Sequence, residues 1–348
     1  MAQVSYKSAA NRMRRVVGVH RAAFASVGCQ WRQTQAGDLH GIIVSGTSPG
    51  IVWSHGLGCS SSMDSLRGLD DILSPSVLGR SVLRLDLRGH GLSAEVHDSS
   101  QGASQYTWSE LAKDYRRASH SSLSRAFFGG EAMGAAVALH AAVGATSSGS
   151  KDAPPGLVLM RPADALAAAV AGRAPPDDWI DGLNEAASIT ESEGLEGLEA
   201  HEAKNKRYFS DGFGAIYSAE NHEADAAALN GLRRNFSADI YAAALRGHAS
   251  VAQMGGDVKS LGQSRHAMAD DAYGVPLTLQ CPILILAVPG DSEHSVEAAQ
   301  ELASLLPGTQ LEIAENLQDA HRKWANSINA FLRKCWMKEF LGKRVMPQ

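Results

Sequence analysis

The sequence predicts an α/β protein with a mostly parallel central sheet, helices on both faces and an inserted helical cap. Short apolar runs alternate with stretches of helical pattern in the first half of the chain and again near its end, which is typical of a sheet wound with helices. Glycine-rich or charged turns follow several of these runs, at the strand ends where function gathers in such sheets. Between about 163 and 275 no buried strand is evident, and this interruption indicates the cap.

Eight strands are expected, and turns at Ala36–Asp38 and Gly46–Gly50 separate the first three. Helices are expected at Trp108–Ser119, at Val296–Leu306 and at His321–Lys334, the last of them amphipathic. In chain order the predicted strands are Cys29–Thr34, Leu39–Val44, Ile51–Trp53, Ser81–Asp86, Leu123–Phe128, Gly156–Met160, Cys281–Ala287 and Gln310–Ala314.

Because the strand pattern returns after the insertion, both ends of the chain are expected to build the sheet. The first 37 residues hold six Lys and Arg and no acidic residue. This composition is typical of an organelle targeting segment, although a solvated basic extension or a first helix fits it as well. Otherwise an intracellular, cytoplasmic protein is expected. The resulting divisions are 1–27 as the basic extension, 28–162 and 276–336 as the two parts of the core, 163–275 as the cap and 337–348 as a tail.

Charge and motif content argue against several classes of protein. The net charge of −5 argues against nucleic-acid binding. The segment from 176 to 230 holds 13 acidic residues against three Lys and Arg, and it is expected to be a solvated face that disfavours anionic ligands. The four cysteines stand far apart, no apolar run is long enough to span a bilayer, and no dinucleotide, phosphate-loop or metal-ligand spacing is present. No transmembrane segment, metal or cofactor is therefore expected.

The run Gly129–Gly134 carries the strongest functional signal. It has the G-x-S-x-G layout of a nucleophile elbow, a tight strand-to-helix turn with a glycine on each side of the nucleophile, but Ala132 stands at the serine position. Apolar residues lead into the run, and small residues suited to a helix packed close on a sheet follow it. Alanine has no nucleophilic or acid–base chemistry. The frame for attack is therefore predicted to be present and the attacking hydroxyl to be missing.

Three further turns accompany the elbow, each after a predicted strand: Ser54–Gly58, Asp86–Ser93 and Pro289–Asp291. Taken in order, the four motifs resemble the α/β-hydrolase family, with its HG oxyanion turn, DxRGHGxS turn, nucleophile elbow and acid turn. The resemblance covers most of the chain outside the insertion, and the order of the motifs makes it specific. It implies the α/β-hydrolase fold and a carboxyl-ester type of serine hydrolase, whose partner is a small ester-like molecule.

The same resemblance implies roles for individual residues. Asp291 matches the acid, and the family's order places the histidine at His321, with His294 beside the acid as the competitor. Both histidines also have a structural interpretation. His321 could be a surface residue at the start of a helix, and His294 could belong to the structure of the acid loop. The backbone N–H groups of Leu57 and Met133 are implied as the oxyanion hole, which does not depend on the side chain at the nucleophile position.

Several neighbouring residues have both a chemical and a structural interpretation. Glu131 could act as a base or fill the vacated site with charge, although a residue at that elbow position usually points aside. Arg161 could meet a substrate carboxylate or pair with the acidic cap. Cys59 is expected to be a packed thiol. In the second turn, hydrogen bonds that brace the backbone are expected for Asp86, Arg88 and His90.

Three functions follow from these residues. The first is a hydrolase impaired at Ala132, and the second is a binding or regulatory module that kept the pocket and lost the chemistry. The third is proton abstraction by a His–Asp pair without a covalent step, which requires contact between a histidine and Asp291. The position of His321 or His294 relative to Ala132 is the feature that separates them.

Overall fold

The computed structural model describes residues 31–94, 96, 101–123, 125–147, 153–205, 236–250, 279, 281–291 and 293–344, with the backbone alone described at 31–33 and 339–344. The basic extension predicted at 1–27 lies outside these residues, as do large parts of the predicted cap. The predicted sheet falls within them, apart from the first two positions of its first strand and position 124 of its fifth.

Eight strands form one sheet: β1 (Trp31–Ala36), β2 (Leu39–Val44), β3 (Thr47–Ser54), β4 (Arg80–Leu85), β5 (Phe127–Glu131), β6 (Leu157–Met160), β7 (Ile283–Ala287) and β8 (Thr309–Ile313). Their order is β1-β2-β4-β3-β5-β6-β7-β8. The strands β1 and β2 pair antiparallel, as do β2 and β4, and every other pair is parallel. A mostly parallel sheet with helices between its strands confirms the predicted fold class.

The turn predicted at Gly46–Gly50 is wrong, because most of it belongs to β3. Thr47 pairs with Arg80, and the register of the two strands then shifts before the regular ladder begins. The glycines allow a close approach of the two backbones at this irregularity. A Cβ atom on Gly50 would lie 2.6 Å from the carbonyl oxygen of Ser81.

Ten helices are described: α1 (Ser61–Leu66), α2 (Asp70–Leu73), α3 (Pro75–Leu78), α4 (Trp108–Ser122), α5 (Met133–Ser147), α6 (Asp164–Val170), α7 (Asp177–Asn205), α8 (Ala238–Ser250), α9 (Val296–Leu305) and α10 (Leu317–Arg344). The last helix begins earlier and ends later than predicted. Its early start is capped by the side chain of Asn316, which accepts from the N–H of Asp319. Among the described helices, none combines the length and the apolar character that crossing a bilayer requires.

The sheet separates two apolar cores, because side chains alternate between its faces along each strand. On β5, Phe127 packs into one core and Phe128 into the other. The first core includes side chains of α2, α3 and α10, and the second includes those of α4, α5 and α9. The residues of α5 that face the sheet are mostly alanines, so this helix lies close behind the end of β5.

The helices α6, α7 and α8 lie between β6 and β7 in the chain, where the sequence predicts the cap. The helix α8 packs on the core through His248, whose Nδ1 accepts a hydrogen bond of 2.8 Å from the indole N–H of Trp108. The same imidazole packs against Trp179 of α7, with 5.1 Å between ring centroids. An indole nitrogen can only donate, so the Nδ1 atom of His248 carries no proton in this contact.

Candidate functional site

The turn between β5 and α5 has the tight geometry of a strand-to-helix elbow. The strand ends at Glu131, Ala132 forms the turn with φ at 54°, and the helix begins at Met133. The N–H of Ala132 donates to the carbonyl oxygen of Met160 at 3.0 Å. A left-handed φ costs an alanine about 1 kcal/mol, so the surrounding packing holds this backbone in place. The side chain of Ala132 is fully buried.

Two glycines let this elbow press against the end of β3. A Cβ atom on Gly130 would lie 2.3 Å from the carbonyl carbon of Gly134. A Cβ atom on Gly134 would lie 2.3 Å from the carbonyl oxygen of Ser54. The hydroxyl of Ser54 also donates to the carbonyl oxygen of Gly134 at 3.1 Å. The G-x-x-x-G frame therefore has a steric cause, which is the contact between the start of α5 and the end of β3.

The imidazole of His55 joins the turn after β3 to the turn after β4. Its Nδ1 donates to the carbonyl oxygen of Gly56 at 2.7 Å, and its Nε2 accepts from the N–H of Leu87 at 3.0 Å. One nitrogen donates and the other accepts, so this histidine is neutral and is held on both sides. Its ring packs against that of His90, with 5.0 Å between centroids. His55 thus fixes the backbone that leads to Leu57.

Side-chain hydrogen bonds hold the turn after β4, and they are made by Asp86, Arg88 and His90. The carboxylate of Asp86 accepts from the N–H of Ser61 at 2.7 Å and from a second N–H within the turn at 2.9 Å. The guanidinium of Arg88 makes two bonds to the carboxylate of Asp114, at 2.8 and 3.0 Å. The Nδ1 atom of His90 donates to the carbonyl oxygen of Arg88 at 2.9 Å. These contacts position the turn that flanks the elbow.

Leu57 and Met133, the predicted oxyanion donors, stand in the two turns that meet at the elbow. Leu57 lies in the turn after β3, where the N–H of Cys59 donates to the carbonyl oxygen of Gly56 at 3.2 Å. Met133 is the first residue of α5, and the first N–H groups of a helix point outward along its axis. Their role as donors to an oxyanion stays a prediction. Cys59 is a fully buried thiol.

Asp291 lies in the loop after β7, and its nearest histidine is His294. The Nδ1 atom of His294 is 3.0 Å from the Oδ2 atom of Asp291, and the imidazole is 4% exposed. The N–H of His294 also donates to the same carboxylate, at 3.2 Å. Ser295 then donates from its N–H and its hydroxyl to Asp164 at the start of α6. The acid loop is therefore held rigidly against the inserted helices.

The structure does not bring His321, the histidine preferred from the sequence, to Asp291. Its Nε2 atom lies 3.0 Å from the Oδ2 atom of Asp71 in α2, and that carboxylate is 63% exposed. The cause is the early start of α10 at Leu317, which carries position 321 past the sheet edge and onto the surface beside α2. The His–Asp contact that the sequence left open is the one between His294 and Asp291.

A chain of buried ion pairs runs from the acid loop beneath the elbow to α1. The guanidinium of Arg161 contacts Asp291 through its Nε and Nη2 atoms and Glu131 through Nη1, the last at 2.7 Å. Arg67 contacts the same oxygen of Glu131 at 2.7 Å and Asp64 at 3.0 Å. Four of these side chains are at most 1% exposed, and Asp291 is 14% exposed. We call Asp64, Arg67, Glu131, Arg161 and Asp291 the buried ion chain.

The ion chain answers the questions left open at Glu131 and Arg161. Glu131 points aside from the elbow into the core, and Arg161 pairs with Glu131 and with Asp291. Arg161 also holds a φ of 46°, an uncommon value for a residue with a side chain. Its Nη2 atom lies 3.4 Å from the Nδ1 atom of His294. The imidazole therefore stands between a guanidinium and the carboxylate of Asp291.

Sequence reasoning did not assign Arg67 and Asp64 to the site. The sequence does indicate that buried charges lie near this region. Arg84 interrupts the apolar run of β4, and a charged residue in a buried strand needs a buried partner. The structure supplies that partner as Asp70, at 2.6 Å. No spacing relates Arg67 to Glu131, which is 64 residues away.

Carboxylates outnumber guanidinium groups around α1, and Asp64 shows the consequence. Burial raises the pKa of Asp64 to about 7, with Glu131 and Asp86 raising it further and Arg67 and Arg84 lowering it. For Asp291, burial alone would raise the pKa, but His294 and Arg161 outweigh burial and hold it well below its usual range. Asp64 is therefore partly protonated near pH 7, while Asp291 stays ionised.

The Asp64→Asn variant is expected to be more stable than the parent at pH 8 by about 1–2 kcal/mol, and this gain is expected to shrink as pH falls below 7 and to be gone near pH 4. The folded-state pKa lies above the unfolded value of 3.8, so the parent's stability from this group is fully present below about pH 4 and is lost as pH rises from there to about 7. Urea unfolding at the two pH values measures it. Asp38→Asn, at a side chain 67% exposed, is the control. An Asp64→Asn gain of equal size at both pH values would contradict the raised pKa.

Solved structures of ester-cleaving enzymes superpose on most of this chain. An esterase from Thermogutta terrifontis matches with a TM-score of 0.59 and 18% identity, over 88% of this chain and 99% of its own. An enol-lactonase from Burkholderia xenovorans LB400 matches at 0.56 and 19%, over 88% and 100%. An esterase from Exiguobacterium antarcticum matches at 0.58 and 18%, over 87% and 100%. No protein-family model and no curated protein matches the sequence.

The chain has the α/β-hydrolase fold. In this fold the nucleophile stands on the strand-to-helix turn, and the acid and the histidine follow it in chain order. In the present α/β-hydrolase fold that turn carries Ala132, and the loop after β7 carries both Asp291 and His294.

Proposed function

We propose that this α/β-hydrolase-fold protein binds a small ester-like molecule beside the elbow and does not form an acyl-enzyme. The observation that carries the proposal is Ala132, which occupies the elbow turn with a nucleophile's left-handed backbone and no hydroxyl. A serine hydrolase without its serine keeps only the residual rate that comes from binding and the oxyanion hole. The esterases and the lactonase of similar fold supply the chemical class of the ligand.

The strained backbone at Ala132 supports the proposal that this turn belongs to a ligand site. Glycine would adopt a φ of 54° without the steric cost that alanine bears. Strained backbone of this kind clusters at active sites and ligand sites, where the surrounding structure holds it. The N–H groups of Leu57 and Met133 are backbone groups, so a missing serine does not remove them as donors to a ligand carbonyl.

The placement of the histidines supports the loss of turnover. His321 pairs with Asp71 on α2, so it is not the partner of Asp291. Asp291 in turn is shared between Arg161 and His294. A serine restored at position 132 would therefore lack the histidine base that the family's chain order provides after the last strand.

Base chemistry by His294 is the second candidate, and the 3.0 Å contact between His294 and Asp291 favours it. In this function the imidazole would take a proton from a bound ligand without a covalent step. Arg161, 3.4 Å from the same nitrogen, works against the imidazolium that such a step creates, whereas the carboxylate of Asp291 stabilises it. A His294→Gln variant that loses a ligand-dependent reaction while keeping its melting temperature would favour this candidate over simple binding.

The test compares the natural chain with Ala132→Ser on a panel of short and medium acyl esters. Neither protein is expected to hydrolyse an ester faster than about tenfold over a heat-denatured control, while a bound ester raises the melting temperature of both. Turnover by the natural chain as fast as by Ala132→Ser would contradict the assignment of Ala132 as the vacated position. Turnover by Ala132→Ser alone would show that a base is still in place and that one oxygen atom separates this chain from a hydrolase.

A further inference from the structure

The apolar side of α10 changes near Cys335. Up to that residue the buried side chains recur at three- and four-residue spacings and end with Phe331, Leu332 and Cys335. Met337 is then 60% exposed and, at about 100° per residue, lies about 200° around the helix from Cys335. Positions 340 and 341, which are Phe and Leu in the sequence, fall on the same side of the helix as Met337. A second apolar side thus begins where the core-facing one ends.

Basic residues surround this second apolar side. Arg333, Lys334 and Lys338 are all exposed. Residues 333–344 contain five Lys and Arg and one acidic residue, a net charge of +4, within a chain of net charge −5. The buried Arg80 lies close enough to Arg333 for the two charges to interact, since burial lowers the pKa of Arg80 and Arg333 lowers it further. We call residues 333–344 the basic end of α10.

The basic end of α10 lies at the opposite edge of the sheet from the elbow. Gly156, just before β6, is so close to the helix that a Cβ atom on it would lie 3.2 Å from the Phe331 ring and 3.3 Å from the sulfur of Cys335. A helix of 28 residues is about 42 Å long, whereas a five-residue strand spans about 17 Å. The helix therefore extends beyond the amino edge of the sheet, while the elbow stands at the carboxyl edge.

We propose that the basic end of α10 binds the surface of an anionic lipid bilayer. Apolar side chains on one side of a helix, flanked by Lys and Arg, form the pattern of helices that lie in the membrane interface. A specific protein partner would need about 800 Å² of this surface, more than a few apolar side chains at a helix end provide. The rest of the chain carries a net charge of −9 (−5 minus +4), so it is repelled by an anionic surface. The bilayer is contacted at the basic end, and the elbow faces away from it.

The experiment is co-sedimentation of the full-length chain with phosphatidylcholine vesicles that contain or lack about a third of phosphatidylserine. Binding is expected only with phosphatidylserine and is expected to disappear at 1 M salt, where the Debye length falls to about 3 Å. Each Lys near the surface contributes about fivefold, so Lys334→Gln/Lys338→Gln is expected to bind at least tenfold more weakly. Met337→Gln is expected to weaken binding severalfold, because it removes the apolar contact.

Arg322→Gln/Lys323→Gln is the matched control, since it removes two exposed charges from the other end of the same helix. It is expected to bind like the parent, which also separates the basic end of α10 from the basic residues near the N-terminus. Melting temperatures of all variants check that the fold is intact. Equal binding to both vesicle types, or equal binding by the two double variants, would overturn the proposal. So would the absence of vesicle binding together with a concentration-dependent dimer that Met337→Gln abolishes, because this surface would then join two copies of the chain.

Discussion

Replacing Arg161 with methionine is expected to lower the free energy of unfolding by about 3–5 kcal/mol. The guanidinium is 1% exposed and neutralises two carboxylates, Glu131 beneath the elbow and Asp291 in the acid loop. Methionine keeps an apolar stem of similar length, so the change removes the charge and its hydrogen bonds more than the packing. The left-handed φ of 46° at this position burdens both side chains alike. Denaturant unfolding at pH 7.5 measures the difference.

Arg173→Met is the matched control, because Arg173 pairs with Glu301 at the surface, with side chains 58% and 37% exposed. Its cost is expected to stay within about 1 kcal/mol. Adding Glu131→Gln to Arg161→Met is expected to recover part of the lost stability, because it removes one of the carboxylates that then outnumber the remaining guanidinium of Arg67. Equal costs for the two arginine variants would contradict the ion chain as a stabilising feature of the site.

The sheet is predictable because each strand is a short apolar run between turn residues. The bounds of β2, Leu39–Val44, agree to the residue, and β7 and β8 agree within two residues. The fifth strand is displaced, from the predicted Leu123–Phe128 to Phe127–Glu131. Two glycines and a glutamate have low strand propensity, and only their pairing with β3 and β6 makes them a strand.

The elbow is predictable from local spacing, whereas the charges beneath it are not. A glycine frame around one position is a property of five consecutive residues, so it can be recognised in the sequence. The contact between Arg161 and Asp291 joins residues 130 apart, and it depends on how the ends of β6 and β7 meet. Chain order likewise favours His321, yet His294 reaches Asp291 because the two share one turn. Contacts of this kind follow from the folded sheet and not from residue spacing.

Gly134→Ala is expected to destabilise the protein by about 4 kcal/mol or more, or to prevent folding. The added Cβ atom would lie 2.3 Å from the carbonyl oxygen of Ser54 and 2.7 Å from that of His55. Both atoms belong to backbone that is fixed by neighbouring strands and by the two hydrogen bonds of His55, so neither can move alone. Relief of the clash requires α5 to shift away from β3. Thermal and denaturant unfolding of the purified variant measure the loss.

Gly144→Ala, on the same helix, separates this clash from the effect of adding a methyl group to α5. The atoms nearest to its Cβ atom would be those of the Arg116 guanidinium, the first at 3.0 Å, and that flexible side chain can move. Alanine favours a helix interior over glycine by about 0.5–1 kcal/mol, so this variant is expected to be as stable as the parent or more stable. If Gly134→Ala behaved like Gly144→Ala, the start of α5 would not be pressed against β3. The elbow would then have room to relax, and the strained φ of Ala132 would lose its physical cause.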